Sequence, residues 1–183
     1  MKIWKVLFCT DNYDHLKPVK GIDIDEIQTY DGGKKMADWQ PIEVVKLEPE
    51  KNMELSNAPR LFTSLPAFDS VAKSVLENCC EEAVEFLPLI SSYGDFWAVN
   101  VVRVLDCIDY EKAEYKKFKH SGKIMLFTKY AFKTEIIMKE NIFKIIEQPL
   151  SSFFVSDEFK RLVEKNNLTG FLFELAWDSE ENN

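Results

Sequence analysis

Hydrophobic and polar positions change period several times along this chain, and the clearest change falls between Ser152 and Leu175. Phe153 to Val155 reads as a strand. Ser156 then stands where a helix needs an oxygen to accept a first-turn N–H, and Asp157 and Glu158 put negative charge at the positive end of the helix dipole. Phe159, Leu162 and Val163 make one apolar stripe. Gly170, after Asn166 and Asn167, allows the chain to leave the helix, and Phe171, Phe173 and Leu175 alternate as one face of a strand.

A second helix is predicted after Pro66, capped by Asp69. Its buried face is Ala72, Val75, Leu76, Cys79 and Cys80, with Ser70, Lys73, Ser74 and Glu77 outward. Strands are expected over 1–9, Trp39–Leu47, Val84–Ile90, Phe96–Leu105 and Ile124–Phe132, with Pro41 placing the second of these at a sheet edge. Ile136–Ile146 fits either a hairpin or a short helix joined to a strand. Asp11–Met36 is polar, with an acidic cluster at Asp23, Asp25 and Glu26, and reads as loops with room for one short strand; Glu48–Pro59 is a charged connector. The fold class is α+β: a mostly antiparallel sheet with two main helices packed on it. Lys73, Glu77 and Phe86 recur as Lys160, Glu164 and Phe173 at a constant offset. That recurrence leaves two readings open, a duplicated helix–strand unit or two helices meeting the same capping and packing demands.

Composition sharpens the class more than the function. A chain of 183 residues with 46% hydrophobic positions, 14 Phe and 4 Trp is long and apolar enough to fold, and we read residues 1–183 as a single domain. Acidic residues outnumber basic ones 31 to 23, a net charge of −8 that repels nucleic acid and anionic membranes and attracts basic partners. Asp11 interrupts the N-terminal apolar run too early for a secretion signal, and no run approaches the roughly eighteen residues of a membrane span. The expectation is a cytoplasmic protein without membrane contact, whose Cys9, Cys79, Cys80 and Cys107 are free thiols. Asn167-Leu168-Thr169, a glycosylation acceptor pattern, is then a helix-ending turn.

Candidate chemistry is sparse. His15 and His120 lie in polar stretches read as exposed, and no ligand spacing suggests a metal. Cys79 and Cys80 precede Glu81 and Glu82, whose charge discourages a reactive thiolate, so their role is packing. Asp106 and Asp109 end an apolar strand; paired carboxylates there suit acid–base work or a cation in a small enzyme or ligand-binding protein, or else simply turn the chain. Tyr115, Lys116, Lys117, Phe118, Lys119 and His120 interleave aromatics with charge as a single-strand nucleic-acid surface does, although the acidic chain around the Lys116–Lys119 patch favours a solvated connector. Asn100, inside the apolar run Phe96–Val102, either faces solvent or satisfies buried hydrogen bonds. No glycine-rich phosphate cradle or nucleophile elbow is present. No residue is therefore assigned as catalytic, cofactor-binding, metal-binding or partner-binding, and the oligomeric state is not legible.

From about Pro59 onward the chain resembles a bacterial immunity-protein family, number eleven among the immunity proteins of polymorphic toxin systems and formerly a domain of unknown function. The resemblance is carried by Phe68–Glu77, by Glu85-Phe86-Leu87-Pro88-Leu89, by Phe96–Val102 through Leu105-Asp106-Cys107-Ile108-Asp109, and by Val155–Lys160 with Leu168–Phe173. It implies a family-like core over 59–177, a variable N-terminal layer over 1–58 and an acidic tail over 178–183. It also implies a non-enzymatic cytoplasmic protein, with no cofactor, that binds and neutralises a cognate toxin domain. Many such toxins act on nucleic acid and are basic, so the resemblance and the charge together suggest an interface of acidic side chains and exposed aromatics.

Overall fold

A computed structural model of the chain describes residues 1–8, 12–21, 28–62 and 65–180. Cys9, the acidic cluster Asp23, Asp25 and Glu26, and the last three residues of the acidic tail lie outside the described residues. The elements in chain order are β1 (Lys2–Phe8), β2 (Leu16–Pro18), β3 (Ile42–Lys46), β4 (Ala67–Asp69), α1 (Ser70–Cys80), β5 (Val84–Ser91), β6 (Phe96–Val101) and β7 (Val104–Leu105). They continue with β8 (Glu114–Lys117), β9 (Ile124–Lys129), α2 (Thr134–Ile137), β10 (Ile142–Ile145), β11 (Phe154–Ser156), α3 (Asp157–Lys165) and β12 (Phe171–Asp178). The class is α+β. The strands form two five-stranded sheets, ordered β12-β1-β11-β10-β7 and β2-β3-β5-β6-β4, and the separate hairpin β8-β9. Most pairs are antiparallel, but β10 with β7 and β3 with β5 are parallel, so both large sheets are mixed.

The two main helices form for the reasons the sequence shows. Asp69 Oδ1 accepts the Ala72 amide at 2.8 Å, and Ser156 Oγ accepts that of Phe159 at 3.3 Å. Both helices then meet one shared core in which Leu76 and Ala72 of α1, Phe159 and Val163 of α3, and Val6, Phe68, Val101 and Val155 from the sheets come together. The opposite face of the first sheet is covered by the hairpin and α2 through Phe127, Phe132, Phe143, Phe154 and Trp177. That of the second carries Leu16, Val44, Leu87, Phe96 and Ala98.

The recurrence read from the sequence corresponds to matched geometry. In one unit β6 lies between β4 and β5, pairing Trp97 with Phe68 and Val99 with Phe86. In the other β1 lies between β11 and β12, pairing Trp4 with Val155 and Val6 with Phe173. Lys73 binds Glu77 and lies 5.5 Å from the Phe86 ring and 5.4 Å from Trp97; Lys160 binds Glu164 and lies 4.7 Å from Trp4 and 5.8 Å from Phe173. Each lysine covers aromatic surface with its stem while its ammonium sits over the rings.

Three expectations change and one open alternative closes. β3, expected at a sheet edge, lies between β2 and β5. The run Phe96–Leu105 is two strands in different sheets, because Val102 and Arg103 both donate to the Ala83 carbonyl and the chain steps across at that point. Ile136–Ile146 resolves into the end of a short helix followed by a strand. In β12 a bulge opposite Ile3 and Trp4 breaks the alternation, and Leu175 faces solvent while Trp177 is buried.

Between the two large sheets runs a strap from Tyr30 to Met36. Lys144 of β10, 2% exposed, donates to the Tyr30 carbonyl at 2.7 Å. Asn100 of β6 donates to the Gly33 carbonyl at 2.9 Å and to Glu85 at 3.0 Å, and the Glu85 carboxylate also accepts the Lys35 and Met36 amides. Asn100 is fully buried, so the solvent-facing alternative for it is wrong. Gly32, at φ +111°, lies against Val104, whose methyl would be 2.2 Å from a Cβ at that position, so only glycine fits between strap and sheet.

Candidate partner-binding surface

The residues singled out for acid–base chemistry do not converge. Asp106 is exposed, whereas Asp109 is half-buried and closes a turn, its carboxylate accepting the Glu111 amide at 3.1 Å and its carbonyl the amides of Lys112 and Ala113. A groove of about 220 Å³ beside Asp109 is lined by Lys112, Lys133 and Glu135 among others, and Asp106 is not part of it. The geometry therefore favours the chain-turning role for this pair.

His15 corrects its expectation of exposure. It is 6% exposed, its Nδ1 accepts the Arg60 amide at 3.3 Å, and its Nε2 is buried without a hydrogen bond. Burial, and then the Arg60 charge, hold its pKa below the ordinary histidine value, so the ring is neutral. Its neighbour Asp14 is equally enclosed and accepts the amides of His15 and Glu48. Sequence alone did not reveal this because polar flanks look the same whether the chain runs outside or under a loop.

The cysteines Cys79, Cys80 and Cys107 are free and buried. Burial pushes the Cys79 thiol up to about 11 and the Cys107 thiol up to about 12, so both are packing groups at neutral pH. Among the described residues no three His, Cys, Asp or Glu side chains gather as a metal site requires.

The basic cluster has a different setting from a solvated connector. Lys116 and Lys117 lie in β8, paired with Leu126 and Ile124 of β9, and Phe118 to Lys123 form the tip, with Lys119 and His120 exposed. The hairpin is anchored by Phe127 and Tyr115, whose rings meet edge to face at 5.8 Å. Beside it the turn after β10 is held by Gln148, which donates to the Met125 carbonyl at 3.1 Å. Between hairpin and turn is a groove of about 690 Å³. Ile124, Ile146 and Pro149 give it an apolar lining, Tyr110 and Tyr115 an aromatic one, and Lys117, Lys123 and Glu147 its charges.

Tyr110 and Tyr115 meet edge to face at 5.8 Å, Lys117 lies 5.4 Å from the Tyr115 ring, and the Tyr110 hydroxyl donates to Glu147. Partial burial of the ring and that carboxylate hold the Tyr110 phenol above its ordinary pKa, so it remains a donor. The sequence showed the hairpin's alternation of aromatics and lysines. It gave no sign of Tyr110, Ile146, Glu147 or Pro149, which reach the groove through a chain reversal and a turn in another sheet.

A second concavity, of about 700 Å³, lies at the end of α1. Arg103 crosses it to Glu140 with Nε–O distances of 3.1 and 3.0 Å, and Glu81, Glu82 and Lys139 line it. Opposite charges there satisfy each other and leave little net field for a ligand.

No helix among the described residues is long and apolar enough to cross a membrane. The family model described as "Immunity protein family (Imm11)" matches residues 14–178. The match thus extends well N-terminal of the stretch in which the resemblance was read. No curated protein matches the chain.

Proposed function

The chain belongs to the Imm11 immunity protein family, and on that premise we propose that it binds a cognate bacterial toxin domain one to one and blocks its action. The family match over residues 14–178 carries the reading. We read the protein as a non-enzymatic, cytoplasmic, single-domain binder whose counterpart belongs to a polymorphic toxin system. Two features support binding over catalysis: Asp106 and Asp109 are not assembled into one cleft, and exposed Tyr110, Phe118 and Ile146 gather near a single groove. Large apolar side chains left at the surface in one region are a common mark of a contact site.

The test is a calorimetric titration of this protein with the purified C-terminal toxin domain encoded by the adjacent upstream gene. Saturation at one equivalent, with the toxin's activity lost at the same ratio, is the expected result. A folded toxin domain that gives no heat and keeps its activity in excess of this protein overturns the reading.

A further inference from the structure

We infer that the toxin-contacting site is the groove between the β8-β9 hairpin and the turn after β10, and that its occupant is an acidic, apolar-centred segment of the partner protein. The inference rests on the toxin-binding reading and assigns it a place. Three observations converge on this groove. It has a peptide-sized volume, about 690 Å³, and is lined by Ile124, Ile146 and Pro149 and by two tyrosines set edge to face. Large apolar side chains are exposed in it and next to its lining residues in the chain: Ile146 of the lining is 49% exposed, Phe118 after Lys117 is 51%, and Leu150 after Pro149 is exposed as well.

The third observation is charge. Lys117 and Lys123 line the groove against Glu147, a net +1, and the hairpin beside it, residues 114–129, carries five lysines against one glutamate, a local +4 in a chain of net −8. At contact distance the local sign decides, because fields from charges beyond about 10 Å are screened at ordinary ionic strength. The complement of this groove is therefore acidic, opposite to the partner charge that the whole-chain composition suggests.

A protein segment fits better than a polynucleotide. Ile124, Ile146 and Pro149 in the lining suit an apolar side chain rather than a phosphate. A long polyanion would also meet the −8 of the whole chain, whereas a short segment can set its carboxylates against Lys117 and Lys123 and away from Glu147. An acidic segment instead pairs with Lys117 and Lys123 and inserts an apolar or aromatic side chain between the tyrosines and Ile146. Desolvated aromatic anchors of this kind carry most of the binding free energy at protein interfaces.

The experiment titrates the toxin domain into the wild type, into Lys117→Glu/Lys123→Glu, into Ile146→Asp and into Lys17→Glu, a distant charge control on β2. Thermal melts establish that each variant is folded. At least tenfold weaker binding is expected for the first two variants. The double charge reversal should act mainly through slower association that has lost its salt dependence, the Ile146 change mainly through faster dissociation, and the control should bind as wild type does. Full affinity in both groove variants, with wild-type binding intact, overturns the site and leaves the toxin-binding reading standing; absence of wild-type binding overturns both. Salt-sensitive binding of a fluorescein-labelled single-stranded 20-mer that vanishes on Lys117→Glu/Lys123→Glu would overturn the inference in favour of nucleic acid. Concentration-dependent dimerisation abolished by Ile146→Asp would overturn it in favour of a second copy.

Discussion

The unit built from β4, α1, β5 and β6 and the unit built from β11, α3, β12 and β1 have the same cap, the same lysine over two aromatics and the same strand register, yet they differ in connection and in neighbours. In the first the central strand follows the helix in sequence; in the second it is the first strand of the chain. The first unit is extended on the β5 side by β3, in parallel, while the second is extended on the β11 side by β10. Local demands thus fix a helix–strand unit to the level of register. Which chain segment fills the central position, and which edge is covered, depends on contacts distant in sequence.

The largest effects should come from the shared core and be alike in both units. Leu76→Ala in α1 should cost about 2–5 kcal/mol and Phe159→Ala in α3 about 3–5 kcal/mol, since both side chains are fully buried and leave cavities that neighbours on rigid strands cannot close. Chemical denaturation reads both. A large loss in one and almost none in the other would show that the helices belong to separately folding cores.

Next is Lys144, which ties the second unit's extension to the strap. Burial lowers its pKa to about 8 from 10.5, with a smaller opposing contribution from Asp31. Between these values the unfolded chain binds the proton more tightly than the folded one, so stability should rise with pH across the window. The Lys144 contribution amounts to on the order of 3 kcal/mol over the full window. Denaturation midpoints of wild type and Lys144→Met, compared from pH 7 to 10, should converge or cross as pH rises. A constant difference would show that the ammonium is not desolvated by the strap.

Two positive-φ positions between a helix and its following strand should respond in opposite directions. Gly170, at φ +89°, would place a Cβ 2.3 Å from Ser56 Oγ and 3.0 Å from the Ala58 carbonyl, so Gly170→Ala should destabilise by about 1–3 kcal/mol. Glu81 holds φ +43° with a side chain present, and Glu81→Gly should stabilise by about 1 kcal/mol once the entropy of glycine is set against the relieved strain. Melting temperatures test the pair, and equal signs would remove the distinction.

The smallest effects lie at the caps. Ser156→Ala and Asp69→Ala should each cost about 0.5–2 kcal/mol, because each cap also holds a second partner: Ser156 Oγ donates to Asn141 Oδ1 at 2.7 Å, and Asp69 accepts Asn57 Nδ2 at 2.8 Å. Asn57 exchanges further hydrogen bonds with Thr169, so this contact links the two units. Adding Asn57→Ala to each cap variant should reveal coupling with Asp69 and none with Ser156.

By itself the sequence determined the two capped helices, most strands and the recurrence of Lys73, Glu77 and Phe86, because caps, helical stripes and strand alternation are written in neighbours within a few residues of each other. The motif order from Phe68 to Phe173 also marked the family. Only the tertiary structure decided that Phe96–Leu105 divides between two sheets, that His15 and Asn100 are buried, and that Lys144 reaches the Tyr30 carbonyl. Those outcomes depend on which segments lie above a residue, and no local period encodes that. The groove belongs to the same category: its lysines and Tyr115 stand together in sequence, but Tyr110, Ile146 and Pro149 join them through hydrophobic packing of the hairpin on the far face of the first sheet. Burial is decided by the summed contacts of the folded chain, and for that reason the scaffold was legible before the surface it presents.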